Sequence, residues 1–547
     1  MEEVGANNKD KKDKQETPVV DIDIHVGVFF DGTNNNANVN EWKDWFKIEY
    51  FRGRSRAYGN RIKLDPLKKN SNPAILSSLF ATGGSETYGN VNEKYLHVYI
   101  EGSGANEFQA DNEVLDIILH GKPVKGLGFG VGSTGVVAKV SKAIKYVSER
   151  IEAEELNAFT NIQHIHFYVF GFSRGSACAR LFSYIIARNA GASVGRLDRE
   201  FEFVQYLSIK YFKNYKVCFL DKYNSQNGKK MTVDFLGIYD TVSAIGFLKE
   251  ENDKVNAMRL GFMGDPDFWG NFHRDNSKEY GLFSPSLTNI VLSTCHICAL
   301  DEFRANFALT DIGTSMPNNS IELYLPGCHS DIGGGYTPSS NGETKTLKKK
   351  TSNIWMKVID SITNEDSELQ TRMISDYRWE NLSGSLLKKM GWVDDFEKEI
   401  VSENKDEIVF KHEPKPNRVY SNIPLHFMHE RARQKAPILK SLFADIPPDY
   451  GRPEDIDLNQ MWEKCKDYLS FDGRINYNEF SPEEYKRIRQ KYLHFTSTDS
   501  LHSAGDLGNV PGRREGTRFS DICRLLYRGG QNDDNRVYYL QDMDYGK

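Results

Sequence analysis

Residues 164–182 read HIHFYVFGFSRGSACARLF. The first nine are a near-continuous apolar run bounded by glycine. That is how a strand buried on both faces of a parallel sheet reads. Helical spacing takes over from Ala177 to Arg188. Between the two lies Gly171-Phe172-Ser173-Arg174-Gly175, which matches G-x-S-x-G. In a strand–turn–helix setting this is the signature of a nucleophile elbow, with the serine hydroxyl exposed on a strained turn. The glycines leave room for that turn, and the Arg174 amide at the helix start can help to stabilise an oxyanion.

The same alternation extends in both directions. His25–Phe30 reads as a strand that runs into an Asp-Gly-Thr turn, and Tyr95–Ile100 as a strand that runs into EGSGA. The glycine-rich stretch 126–135 precedes a helical pattern from Val136 to Ile151. Val233–Asp240 and Ile321–Gly327 read as strands, and Ser286–Phe307 as a helix between them. Strands alternating with helices imply an α/β fold of the α/β-hydrolase type, a mostly parallel sheet flanked by helices. Residues 1–20 read as a disordered polar tail and 21–340 as the catalytic core. Residues 341–547 read as a mainly helical region that caps the site or contacts a membrane. A basic loop, 339–350, leads into it; within it, Met428–Leu442 is an amphipathic candidate and 491–547 a candidate return to the core through a strand at Tyr492–Ser497.

A serine hydroxyl needs a base, and the base needs an orienting carboxylate. Asp240 closes the strand after the serine and is the expected orienter. Three histidines compete for the base: His329 in PGCHSDIGGGY, His296 in the expected helix, and His494 after the last apparent strand. Asp331 is a second carboxylate beside His329, either an orienter or a brace for the glycine loop. Gly32 and Thr33, after the first strand, are expected to supply the second oxyanion donor alongside Arg174.

Composition narrows the partners. The chain has 547 residues, a formal net charge of -6 and seven cysteines. That balance offers no basic face for nucleic acid. An odd, scattered cysteine count is not a disulfide framework. Cys295 and Cys298 lack the further ligands a zinc site wants, and no metal or organic cofactor is expected. Asp472–Phe480 imitates half of an EF-hand, but tyrosine falls at the first ligand position; a tight helix–loop–helix is expected instead, with Ser481 capping the second helix. The N-terminus lacks the apolar segment of a secretory signal, so export would need a dedicated machine.

Six stretches together carry a family resemblance: VGVFFDGTNNN, YIEGSGA, YVFGFSRGSACARLF, FLGIYDTVSAIG, CALDEFRANFAL and LPGCHSDIGGGY. In this order they resemble the phospholipase effectors of the bacterial type VI secretion system. EGSGA stands where that family more usually has Asp-Gly-Val-Gly-Thr. The resemblance implies a lipase that hydrolyses acyl esters of glycerophospholipids with a Ser-Asp-His triad: Ser173, Asp240 and either His329 or His296. It also implies synthesis in the bacterial cytoplasm, delivery on a secretion spike or tube component, a phospholipid membrane as target, and an immunity protein that protects the producer. A cytoplasmic carboxylesterase acting on small soluble esters is the competing expectation.

Overall fold

The computed structural model describes residues 20–33, 35, 37, 70–81, 85–88, 91–103, 136–155, 160–189, 220, 223, 230–242, 291–304, 307–312, 319–336, 345–350, 397–400, 407–412, 418–476, 481–494, 525–527 and 538–539. The strands in chain order are β1 (Val20–Phe30), β2 (Ser85–Tyr88), β3 (Val91–Ile100), β4 (Thr160–Phe172), β5 (Lys230–Tyr239), β6 (Thr294–Ala299) and β7 (Leu309–Thr310). They continue with β8 (Ile321–Leu325), β9 (Lys345–Lys350), β10 (Glu397–Ile400), β11 (Glu407–His412), β12 (Gly473–Asn476), β13 (Leu525–Tyr527) and β14 (Tyr538–Tyr539). The helices are α1 (Asn72–Leu79), α2 (Val136–Glu155), α3 (Arg174–Asn189), α4 (His329–Gly333), α5 (Asn422–Lys435), α6 (Leu439–Leu442), α7 (Ile456–Lys466) and α8 (Pro482–Tyr492).

The main sheet has the order β12-β8-β6-β5-β4-β1-β3-β2. Every pairing in it is parallel except β2 with β3. The chain is therefore an α/β-hydrolase-type fold, with the glycine-bounded run 164–172 inside the central strand β4. Alternate residues of the strands feed two cores. Val28, Val169 and Ile238 pack with Ala143, Val147 and Phe182 of α2 and α3. Phe29, Phe170 and Tyr239 pack with Leu76 of α1, Met428 of α5 and Trp462 of α7. Both faces being covered explains why these strands show no polar alternation. The rings of Phe29 and Phe170 stack at 5.1 Å, and Phe443 meets Phe170 edge-on at 5.6 Å. Each such pair adds about 0.5–1.5 kcal/mol beyond area burial.

The helical C-terminal part is thus a layer of the core. Met428, Ala432, Leu439 and Leu442 are all buried. The amphipathic stretch 428–442 therefore turns its apolar side to the sheet rather than to a membrane. Among the described residues no helix is long and apolar enough to span a bilayer.

Several local expectations are corrected. The segment 286–307 was expected to be helical, but Thr294–Ala299 is β6, buried throughout. An apolar run covered on both sides has no periodicity to separate the two states. Cys295 and Cys298 are therefore buried strand positions three apart, on opposite faces of the sheet. The basic loop 339–350 ends in β9, which joins β10 and β11 in a separate antiparallel sheet. The helix–loop–helix at 472–480 contains an edge strand, β12, because Ile475 completes the apolar face beside Leu323 of β8. Ser481 does cap α8, taking the Glu484 amide and returning its own to Glu484. Tyr492 ends α8, Leu493 is extended, and neither it nor His494 pairs with a described strand; 495–497 lie outside the described residues, as do 1–19, expected to be a tail, and the glycine-rich stretch 126–135.

Candidate active site

Because the sheet is parallel, the ends of β1, β3, β4, β5, β6 and β8 share one edge, where ligands bind in open α/β sheets. Ser173 is the sole residue between β4 and α3, at φ 60°. A side chain rarely takes that left-handed conformation, and it costs of order 1–3 kcal/mol. The surroundings enforce it. The Ser173 amide donates to Tyr239 O at 3.0 Å, and its carbonyl accepts the Ser176 amide at 3.0 Å. A Cβ on Gly171 would sit 2.4 Å from Gly175 O, and one on Gly175 would sit 2.3 Å from Asp31 O. The two motif glycines thus let the elbow close on itself and on the β1 loop.

Asp240, the first residue past β5, also has positive φ, 42°. Its amide donates to Ile297 O at 2.7 Å. Its Oδ1 accepts the Ala299 amide at 2.8 Å, and its Oδ2 lies 2.6 Å from His329 Nδ1. The imidazole of His329, just past β8, is held between two rings: Phe172 at 4.5 Å and Phe307 at 4.9 Å. Phe172 directly precedes Ser173. The His329 backbone amide donates to Glu302 Oε2 at 3.1 Å. Nε2 of His329 is buried and has no hydrogen-bond partner among the described residues. Burial pushes this imidazole below the ordinary histidine value, against the opposing pull of Asp240. A neutral ring with Nδ1–H on a carboxylate and an open Nε2 is the state a general base needs.

The other two histidines are elsewhere. His296 lies on β6 with both nitrogens occupied, Nδ1 at 3.0 Å from Glu322 Oε2 and Nε2 accepting the Thr241 amide at 3.2 Å. His494 pairs with Asp331: Nδ1 to Oδ1 at 2.7 Å, while its amide reaches Oδ2 at 3.0 Å. Asp331 also takes the Cys328 amide at 2.9 Å, so it braces the loop and does not orient His329.

The β1 loop is tightly organised. Asp31 is buried and accepts Tyr99 Oη at 2.5 Å, the Ser71 hydroxyl and the Gly32 amide at 2.7 Å. Burial raises its carboxyl, and these donors oppose the rise. The Gly32 N–H is thus spent on Asp31 and points away from the role expected of it. Thr33 Oγ1 accepts from Arg174 Nε at 2.8 Å, tying the loop to the elbow.

Sequence reasoning missed the carboxylates behind the histidine loop. Glu302 holds His329 and forms a two-point pair with Arg304. Asp301 accepts the Gly327 amide at 2.8 Å, Tyr485 Oη at 2.9 Å and Arg489 Nη2 at 2.6 Å. The pair stands within CALDEFR, but only their position past β6 reveals what they hold. Among the described residues one trio, His296, Cys298 and Glu322, brings three ligand atoms within 4.8 Å of one another. The hydrogen bonds of His296 and Glu322 already use the atoms a metal would need.

Residues 25–358 match the family described as type VI secretion system phospholipase effector Tle1-like, catalytic domain. The chain belongs to this family. A Tle1-like phospholipase effector is a lipolytic hydrolase, and the matched residues span every strand end described above. Among solved structures, the chain is similar to a Tle1 effector bound to the VgrG spike of the type VI secretion system. The identity is 20%, with 88% of this chain and 85% of that chain covered and a TM-score of 0.50. It is also similar, at 14% identity, to an uncharacterized protein from Pseudomonas aeruginosa, with 87% and 64% covered and a TM-score of 0.30. No curated protein matches the sequence.

Proposed function

We propose that the protein is a serine-dependent phospholipase of the A type, with Ser173 as nucleophile, His329 as general base and Asp240 as orienter. The observation that carries the reading is the Asp240–His329 contact at 2.6 Å, with Nε2 of the same ring lacking a hydrogen-bond partner among the described residues while the ring packs on Phe172 of the elbow. His329 takes the Ser173 proton as Oγ attacks an acyl carbonyl of a glycerophospholipid. The developing oxyanion is received by the Arg174 amide, in the first turn of α3 where helix amides lack intrahelical acceptors, and by the Thr33 amide. The protonated His329 returns its proton to the leaving lysolipid oxygen. Water, activated by the same histidine, then releases the fatty acid. The route needs no metal or organic cofactor.

Family membership and the spike-bound neighbour support the biological setting. The protein is made in a bacterial cytoplasm, loaded on a secretion spike and delivered by type VI secretion to the phospholipid membrane of a target cell, while an immunity protein shields the producer. The test is fatty-acid release from mixed phospholipid vesicles by wild type and Ser173→Ala. Release by wild type and none by Ser173→Ala is expected. Full activity in Ser173→Ala would remove the nucleophile. Cleavage of short soluble esters with intact phospholipid would instead favour a small-ester carboxylesterase.

A further inference from the structure

Asp240 is asked to aim one carboxylate oxygen while its backbone leaves β5 in a left-handed turn at φ 42°. Its own amide still reaches the neighbouring strand, donating to Ile297 O. The next amide, of Thr241, faces no strand carbonyl; it donates to His296 Nε2 at 3.2 Å, and Thr241 Oγ1 lies 3.1 Å from the same nitrogen. The Thr241 carbonyl accepts the Thr310 amide at 2.9 Å, and Thr310 O accepts Arg180 Nη1 at 3.0 Å.

His296 can accept at Nε2 only if its proton sits on Nδ1. Glu322 sets that tautomer. It is fully buried, and a buried carboxylate must be satisfied. It receives the Ile312 amide at 2.7 Å, Tyr324 Oη at 2.8 Å and His296 Nδ1–H at 3.0 Å. Burial pushes the His296 imidazole below its ordinary value, against the pull of Glu322, so the ring stays neutral and Nε2 keeps its lone pair.

We infer that Glu322 and His296 are positioning residues: the carboxylate fixes the imidazole tautomer, the imidazole holds the Thr241 amide, and the turn thus held aims Asp240 at His329. This rests on the triad proposed above. An imidazole replaces the missing strand carbonyl, so the turn can deviate from the sheet without orphaning a buried N–H. A displacement of about 1 Å at a catalytic group can cost about a hundredfold in rate.

The test compares His296→Leu, His296→Gln and the double variant His296→Leu/Glu322→Gln with wild type and Ser173→Ala. It measures kcat and KM on phospholipid vesicles, and the pH dependence of Ser173 labelling by a fluorophosphonate. His296→Leu is expected to lose about a hundredfold in kcat at unchanged KM. His296→Gln, which can accept the Thr241 amide and donate to Glu322, is expected to recover most of that loss. The acid limb of labelling reports His329, which Asp240 and Glu302 push up and burial and Arg304 push down. A displaced Asp240 withdraws its upward pull, so the limb moves to lower pH in His296→Leu. General loosening would instead hydrate His329 and move the limb up toward 6.5. Should His296→Leu fail to fold because Glu322 is left charged and short of a donor, the double variant His296→Leu/Glu322→Gln decides: the glutamine still accepts the Ile312 amide, the Thr241 amide still lacks its acceptor, and lower kcat at unchanged KM with a lowered acid limb is expected. Wild-type kcat and acid limb in folded His296→Leu or, failing that, in the double variant His296→Leu/Glu322→Gln overturn the inference. Equal losses in His296→Leu and His296→Gln also overturn it. Activity in Ser173→Ala would instead overturn the triad, whatever the His296 variants do.

Discussion

Asp240 Oδ2 and His329 Nδ1 meet at 2.6 Å across 89 positions of sequence, each just past the end of a different parallel strand. Five strand ends converge on that contact: β4 through Phe172, β5 through Asp240, β6 through Ala299 and Glu302, β8 through His329, and β1 through the loop under Gly175.

If Ser173 and His329 form the proposed proton path, removing either end stops turnover. His329→Ala and Ser173→Ala are each expected to lower kcat by about 10³–10⁶-fold, and the double variant should be little worse than either, because the two act as one unit. Single and double variants assayed on the same vesicles check this. Additive losses would contradict it.

The acid limb of kcat/KM should lie below 6.5. Burial depresses the His329 imidazole, so it stays neutral and competent at neutral pH and becomes protonated only as pH falls through its lowered value. Activity is therefore kept at pH 6.5 and lost further down. A pH–rate profile on a soluble ester reads this limb. A midpoint above 6.5 would contradict the buried, neutral base.

Gly175→Ala should damage stability and rate together. Its Cβ would press on Asp31 O from 2.3 Å and on Phe30 O from 2.6 Å, both backbone atoms that cannot swing aside. Overpacking of this kind costs about 1–3 kcal/mol. A lowered denaturant midpoint with reduced kcat is expected, and wild-type values of both would show that the elbow does not need the close approach.

Arg489→Ala should reach the histidine loop from α8. Asp301 is 1% exposed and holds Gly327, two residues before His329, while Arg489 neutralises it and Tyr485 donates a hydrogen bond to it. Withdrawing the guanidinium leaves a buried carboxylate short of a partner, at about 1–3 kcal/mol. Thermal unfolding and kcat should both fall, and Arg489→Lys should restore part of each.

Much of this was legible in one dimension. The glycine-bounded run 164–172, the G-x-S-x-G turn and the helical spacing after it announced a parallel sheet with a serine elbow, because local sterics and burial write directly into residue type. Ser173 and Asp240 stand out as candidates for the same reason, each following a recognisable strand; the structure adds that both take positive φ. Thr294–Ala299 was misread because a strand covered on both faces carries no period. The choice among His329, His296 and His494 could not be made from sequence. All three are buried histidines beside carboxylates, and their roles depend on which partner the folded sheet brings to each: Asp240, Glu322 or Asp331. Strand order decides that, and strand order is a property of long-range packing. Residue types and short-range spacing determined the elbow, the fold class and the list of candidates. Only the tertiary arrangement assigned a partner to each histidine, since hydrogen bonds between residues far apart in the chain leave no local pattern to read, and only it buried Asp31 so that its carboxylate takes the Gly32 amide.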